Sequence, residues 1–155
     1  MHGLAASLGE GEALAESLSA APAGCRVALC APSTLIERLG RVIASSAVEL
    51  GGQDCHEKPS GAFTGSVSAE MLADAGARLV ILGHSERRAG FGETDEQVAA
   101  KAEAAVAAGL EPIICVGETL EQRQAGKAVE VVSAQVAGSL PLSLAERDFA
   151  VAYEP

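Results

Sequence analysis

His84 and Glu154 are the residues whose types and positions invite chemistry. His84 directly follows the apolar run in "LVILGHSERRAGFGE" (79–93), and Glu154 closes "FAVAYEP" (149–155). An imidazole can give or take a proton near neutral pH. A carboxylate can act as a general base, and burial at a strand end raises its affinity for a proton. Pro155 biases the backbone of Glu154 toward an extended conformation, which suits a strand terminus. Read singly, each residue is more often structural than catalytic. Glu86, Arg87, Arg88 and Glu93 crowd the same stretch, and an ion-pair network bracing a loop accounts for them without catalysis.

Other chemistries have less support. The chain has three histidines, and His2 near the terminus and His56 in a loop read as solvated side chains. No two histidines have metal-ligand spacing. Ser85 stands in "GHS", but a nucleophilic serine needs a turn and an orienting acid that the sequence does not place. Neither a GxSxG pattern nor a phosphate-binding P-loop occurs.

The elements that must position these residues alternate along the chain. "CRVALCAP" (25–32), "VELGGQD" (48–54), "ARLVILGH" (77–84), "EPIICVGE" (111–118) and "FAVAYEP" (149–155) are short runs rich in Val, Ile and Leu. Continuous hydrophobicity of that kind suits parallel strands covered on both faces. Helices fill the intervals. Ser7 with Glu10 reads as a capping box opening a helix into Ala13–Ala20. Ser33 reads as the cap of a segment with Leu35, Leu39, Val42 and Ile43 on one face. Thr94 with Gln97 reads as a second box, with Asp95 and Glu96 suiting the positive end of the helix dipole. That helix carries Val98, Ala102, Ala105 and Val106 on one stripe and stops at Gly109. Thr119 with Gln122 starts another, and Val129, Val132 and Val136 continue a stripe after a break at Gly126. Strand alternating with helix predicts an α/β fold with a parallel sheet. Each run hands over to polar residues at its carboxyl end: Gln53-Asp54, His84-Ser85-Glu86, Gly117-Glu118 and Glu154. Reactive groups of parallel α/β proteins collect at that rim.

Composition narrows the partners. A net charge of −10 argues against nucleic acid or an anionic membrane as a general partner, while leaving room for a small anionic substrate at a local site. The four cysteines, Cys25, Cys30, Cys55 and Cys115, form no CxxC pair and read as small packing residues of a reducing compartment. The first residues lack the basic and apolar regions of a signal peptide. No apolar run approaches membrane-spanning length, so a cytoplasmic location is expected. No linker, repeat or low-complexity tract divides residues 1–155, which read as one domain.

"GGQDCH", "GAFTGSVSAEML", "GARLVILGHSERR", "FGETDEQV", "AGLEPIICVGETLEQR" and "VAYEP" together resemble the triosephosphate isomerase family, in order and at matching separations. The resemblance covers essentially the whole chain, and "GHSERR" and "YEP" are its most specific parts. It implies a parallel (β/α)8 barrel. It also implies interconversion of dihydroxyacetone phosphate and D-glyceraldehyde 3-phosphate through an enediolate, a step of glycolysis and gluconeogenesis, with no cofactor or metal. On this resemblance Glu154 matches the base that moves a proton between adjacent carbons, and His84 the neutral imidazole that polarises the carbonyl. Glu86 matches an acid close to the site, and Ser85 lies beside His84; both are supporting members. Cys115 matches a packing cysteine near the base. "GAFTG" (61–65), with Thr64 at its tip, matches a loop that protrudes into a second subunit, which implies a homodimer.

The chain also departs from the family. There the first strand ends in Asn-Trp-Lys directly before the position of Met1, and that Lys binds the substrate phosphate. Beyond the position of Pro155 the family continues with a mobile lid, two more strands and glycine-rich turns that hold phosphate. Residues 1–155 are thus expected to form an incomplete barrel of about five strands, with apolar unpaired edges at 25–32 and 149–155. The expected reading is a portion of a full-length enzyme. The alternative is an inactive barrel fragment acting as an association scaffold.

Overall fold

The five apolar runs become five parallel strands, each paired with the next along the chain. A computed structural model describes residues 2–155. Its strands are β1 (Val27–Ala31), β2 (Val48–Gly52), β3 (Leu79–Leu82), β4 (Glu111–Val116) and β5 (Ala150–Tyr153). The sheet order is β1-β2-β3-β4-β5, and every adjacent pair is parallel. A parallel pair needs a crossover, and here helices supply it. α1 (Leu8–Ala20) precedes the sheet. α2 (Ile36–Ile43) links β1 to β2, and α3 (Ala69–Asp74) links β2 to β3. α4 (Ser85–Phe91) and α5 (Asp95–Ala107) link β3 to β4, and α6 (Leu120–Gln124) and α7 (Ala128–Ser139) link β4 to β5. The parallel α/β sheet is the one the alternation predicts, and its form, a half-barrel of the (β/α)8 type, is the one the family resemblance implies.

The core lies between the middle strands and their helices. Val80, Leu82 and Ile114 from the sheet and Ile36, Val98, Ala102 and Ala105 from the helices are completely buried. Burial thins toward β5, where Val151 and Tyr153 are exposed, so the expected apolar edge is present. Desolvation pushes the Cys30 thiol up to about 11 and the Cys55 thiol up to about 12. Both remain protonated and unreactive at neutral pH. Cys115 is buried as expected, whereas Cys25 is exposed.

The helix signals divide by their chemistry. Thr94 and Gln97 form the full reciprocal box at the start of α5, and Thr119 and Gln122 do the same for α6. The stop at Gly109 and the break at Gly126 are both left-handed, with φ of +78° and +74°. Ser7 does not cap α1. It lies in a 3-10 turn, Ala5–Ser7, and its hydroxyl accepts from the Leu4 N–H behind it. Ser33 is likewise inside a 3-10 turn that follows Pro32, and it caps nothing. Pro32, with φ of −59°, leads into that turn, and its carbonyl accepts the Leu35 N–H at 2.8 Å. On α2 the buried face is Ile36, Leu39 and Ile43, with Leu35 just before it, while Val42 turns outward. Val129 is 80% exposed and leaves the α7 stripe to Val132 and Val136.

At the amino rim one guanidinium ties three strands. Arg26 donates through Nε and Nη2 to Glu49 at 2.8 Å each, and through Nη1 and Nη2 to Glu111 at 2.9 and 2.7 Å. Those acids belong to β2 and β4, so Arg26 spans the mouth of the sheet from the start of β1. Inside, Gly51 makes room for sulfur: a Cβ there would lie 2.5 Å from Cys30 Sγ and 3.2 Å from the Leu79 carbonyl. Gly51→Ala is expected to cost about 1–3 kcal/mol of stability by overpacking. Adding Cys30→Ala should recover most of that loss. Urea unfolding of the single and double variants checks this; a loss unchanged in the double variant would make the Leu79 carbonyl the obstacle.

Candidate functional site

Parallel strands put all their carboxyl ends at one rim, and the His84–Glu154 pair forms there. β3 ends in Gly83, whose φ of +69° is left-handed, a conformation that side-chain-bearing residues adopt at a cost. The turn makes His84 the N-cap of α4, where its Nδ1 accepts the Glu86 backbone N–H at 3.2 Å. An accepting Nδ1 carries no proton, so the imidazole proton sits on Nε2. Nε2 lies 3.4 Å from Glu154 Oε2.

Glu154 arrives by sheet register. β4 and β5 pair through Val116↔Tyr153, and the Glu154 N–H continues the ladder to the Val116 carbonyl at 2.9 Å. The approach requires Gly117, since a Cβ there would fall 1.8 Å from the Glu154 carbonyl oxygen. The Glu154 side chain is 56% exposed. The strand end therefore presents the carboxylate instead of burying it.

The two supporting candidates are placed differently. Glu86 reaches His84 through its backbone N–H; its carboxylate stands 4.0 Å from His84 Nδ1 and is 78% exposed. Ser85 is the exposed first residue of α4. The stretch read as a braced loop is thus a helix. Thr64 is exposed at the 61–65 loop. His56 is half-buried rather than solvated: its Nδ1 accepts the Lys58 N–H, and its ring packs on Phe63 with centroids 4.1 Å apart. His56, His84, Asp54, Arg87 and Lys101 line a cavity of about 730 Å³.

Two ionic clusters flank the pair. In the first, Lys101 Nζ donates to Asp54 Oδ1 at 2.7 Å and to Glu93 Oε1. Arg87 reaches Asp54 Oδ2 at 2.9 Å and Glu93 Oε1 at 3.2 Å, with its guanidinium 4.7 Å above the Phe91 ring. Burial alone pushes Glu93 up, but the hydrogen bond and charge of Lys101, aided by Arg87, reverse this and hold it below the usual carboxylate range. Burial prevails at Asp54, which is raised despite the same cations. In the second cluster the fully buried Glu118 side chain accepts from Arg123 and, at 3.0 Å, from the Tyr153 hydroxyl. Its own backbone N–H, Tyr153 and Arg123 hold it below the usual range. This anchors the residue before Glu154 to α6. The sequence places Asp54 at the carboxyl rim but assigns Lys101 and Tyr153 no role; a lone Lys one turn beyond Val98 on an apolar helix face is the available signal. Among the described residues no group of three or more His, Cys, Asp or Glu side chains converges as a metal site requires.

Parallel strands in chain order, outer helices and a His–Glu pair at the carboxyl rim define the class as a (β/α)8-type barrel protein. The sequence model of the triosephosphate isomerase family matches residues 4–155, and the chain belongs to that family. It is 60% identical over 155 residues to the triosephosphate isomerase of Caulobacter vibrioides, covering all of this chain and 61% of that protein. It is 54% identical over 155 residues to that of Ruegeria pomeroyi, again covering all of this chain and 61% of the relative. The crystal structure of triosephosphate isomerase from Bartonella henselae superimposes with a TM-score of 0.94 at 44% identity, over all of this chain and 64% of that one. The chain spans about 61% of the length of the curated relatives it matches.

Glu93→Gln leaves Lys101 buried with one partner fewer. At neutral pH it should cost about 3–5 kcal/mol, the usual consequence of breaking a buried pair. Glu93 has a depressed folded pKa, so its contribution is present above its unfolded pKa and is lost as pH falls through the folded value. The gap between wild type and variant should therefore close in acid. Denaturant unfolding at neutral pH and below the ordinary carboxylate range measures it; a gap independent of pH counts against the ion pair as the cause.

Proposed function

We propose that the protein containing this chain is a triosephosphate isomerase, interconverting dihydroxyacetone phosphate and D-glyceraldehyde 3-phosphate in glycolysis and gluconeogenesis. The observation that carries the reading is the 3.4 Å approach of His84 Nε2 to Glu154 Oε2 at the carboxyl ends of β3 and β5. Family membership supports it. Glu154 takes a proton from the carbon beside the carbonyl, and the electron pair left behind forms the enediolate. His84, with its proton on Nε2, donates to the oxygen where negative charge develops. His84 gives its Nε2 proton to that oxygen and takes one from the neighbouring hydroxyl, whose carbon becomes the new carbonyl. The proton held by Glu154 returns to the adjacent carbon, so base and donor are restored. The chemistry uses side chains alone, with neither metal nor cofactor. Glu86 supports the site through the N–H that fixes the His84 tautomer, and Ser85 opens the helix that supplies it. The working form is a cytoplasmic homodimer joined through the loop around Thr64. Exposure of that loop supports the assembly. Among the described residues no helix is long and apolar enough to cross a membrane.

Glu154→Gln keeps shape and hydrogen bonding but removes basicity. In the complete polypeptide it should lower kcat by about 10²–10⁴-fold or more with KM nearly unchanged. His84→Gln should lower kcat less, because an amide N–H can still donate. Steady-state kinetics with glyceraldehyde 3-phosphate decides it; a Glu154→Gln enzyme that kept most of its kcat would withdraw both roles. Thr64→Arg should weaken the dimer and the activity together. Sedimentation showing an intact dimer, or an active monomer, would remove the loop from that role.

A further inference from the structure

The β3–β4 ladder stops at Leu82↔Ile114, one residue before His84's neighbour Gly83 leaves the sheet. At that point a single side chain takes over. Arg88, on the first turns of α4, donates through Nε to the Gly83 carbonyl at 2.7 Å and through Nη2 to the Cys115 carbonyl at 3.1 Å. Two further bonds hold the fork: Nη1 meets Asp95 Oδ1 at 2.5 Å, and Nη2 meets Ser139 Oγ at 3.1 Å. Ser139 is completely buried and donates to Asp95 Oδ1 at 2.9 Å. One planar fork therefore joins the ends of β3 and β4, the start of α5 and the end of α7. A lysine, a point charge with no fork, cannot reproduce that set.

The two carbonyls matter because of what adjoins them. Gly83 precedes His84. Cys115 precedes Val116, whose carbonyl holds the Glu154 N–H at 2.9 Å. The path Gly83–Arg88–Cys115 thus runs between the backbones that carry His84 and Glu154, beyond the last hydrogen bond of the β3–β4 ladder. Gly83 fits the same design: a Cβ there would lie 2.9 Å from Arg88 Nη2, so the absent side chain leaves the fork its place.

We infer that Arg88 is a positioning residue, which sets the separation of His84 and Glu154 by bridging the Gly83 and Cys115 carbonyls. Arg88 itself is bonded to neither reactive side chain. The inference rests on the reading of those two residues as the acid–base pair. Misplacement of a reacting group by about 1 Å is worth about 10²-fold in rate.

The test uses the complete polypeptide with Arg88→Lys and Asp95→Asn, the latter loosening the fork without removing it. Arg26→Met, which deletes the multiply bonded guanidinium at the opposite rim, controls for lost stability. Two readouts are taken: steady-state kinetics, and the ¹⁵N spectrum of the His84 imidazole. Arg88→Lys should lower kcat by about 10²-fold with KM nearly unchanged, and should shift or split the His84 nitrogen signals. Asp95→Asn should do the same to a smaller extent. Arg26→Met should leave the His84 signals where they are. Unchanged His84 signals and kcat in folded Arg88→Lys overturn the inference, as does an equal disturbance of His84 by Arg26→Met. If Arg88→Lys fails to fold, Asp95→Asn decides by the same criterion. The nitrogen spectrum reads His84 whether or not trioses are isomerised. His84 signals shifted by Arg88→Lys, in a protein whose wild type shows no isomerase activity, would refute the proposed function and leave the bridge standing.

Discussion

The left-handed backbone at Gly83 is the constraint on which the carboxyl rim depends. A strand that ran on in extended conformation would carry His84 past the sheet and into solvent. The positive φ turns the chain at once, so that β3 hands over to α4 with His84 as the cap between them. The cap fixes the ring, because its Nδ1 is occupied by a backbone N–H. The same turn frees a carbonyl for Arg88 and leaves Gly83 without the atom that would displace it. The turn brings His84 to the Glu86 N–H that fixes its tautomer, and the missing side chain leaves Arg88 its place.

Around that turn the charges are arranged to neutralise one another. Lys101 and Arg87 face Asp54 and Glu93, Arg88 faces Asp95, and Arg123 faces Glu118. Buried or half-buried ions of this kind contribute little net stability, because desolvation offsets attraction, but losing one partner is costly. Their effect is geometric. The pairs to Asp54 and Glu118 fasten helices to the ends of β2 and β4, Arg88 with Asp95 ties α4 to α5, and the carboxylates absorb cations that the apolar sheet could not hold. The −10 net charge is a sum over the whole chain and says little about this rim.

Much of this was legible in the sequence where a single residue type has a single physical use. Continuous Val, Ile and Leu runs gave away the parallel strands, and the glycines at 109 and 126 marked helix ends. The threonine boxes at 94 and 119 read correctly because Gln at the third position completes a reciprocal bond. Ser7 misled because its hydroxyl serves the 3-10 turn before α1, and Ser33 because it lies inside a turn rather than at its cap. α4 was hidden: its seven residues, "SERRAGF", offer no apolar stripe, and its cap is an imidazole, which no capping rule anticipates. Lys101 and Asp54 lie 47 positions apart, and only the fold brings such partners together. The identities of His84 and Glu154 stood out from their strand-end positions, whereas their separation depended on the register of β3, β4 and β5.

Strand order has a consequence for how the chain is made. Because β1 to β5 pair in the order in which they are synthesised, each new strand finds its partner already in place, and no earlier strand must wait for a later one to be inserted between it and its neighbour. Pairing of near neighbours keeps the loops to be closed short. A nascent chain can therefore extend the sheet one βα unit at a time as it leaves the ribosome. Arg26 is the exception, since its second carboxylate lies 85 residues downstream, and it fastens the amino rim only after four strands have been laid down. Glu154 arrives on the last strand of the five, so the imidazole is set in its tautomer well before the carboxylate that faces it has been translated.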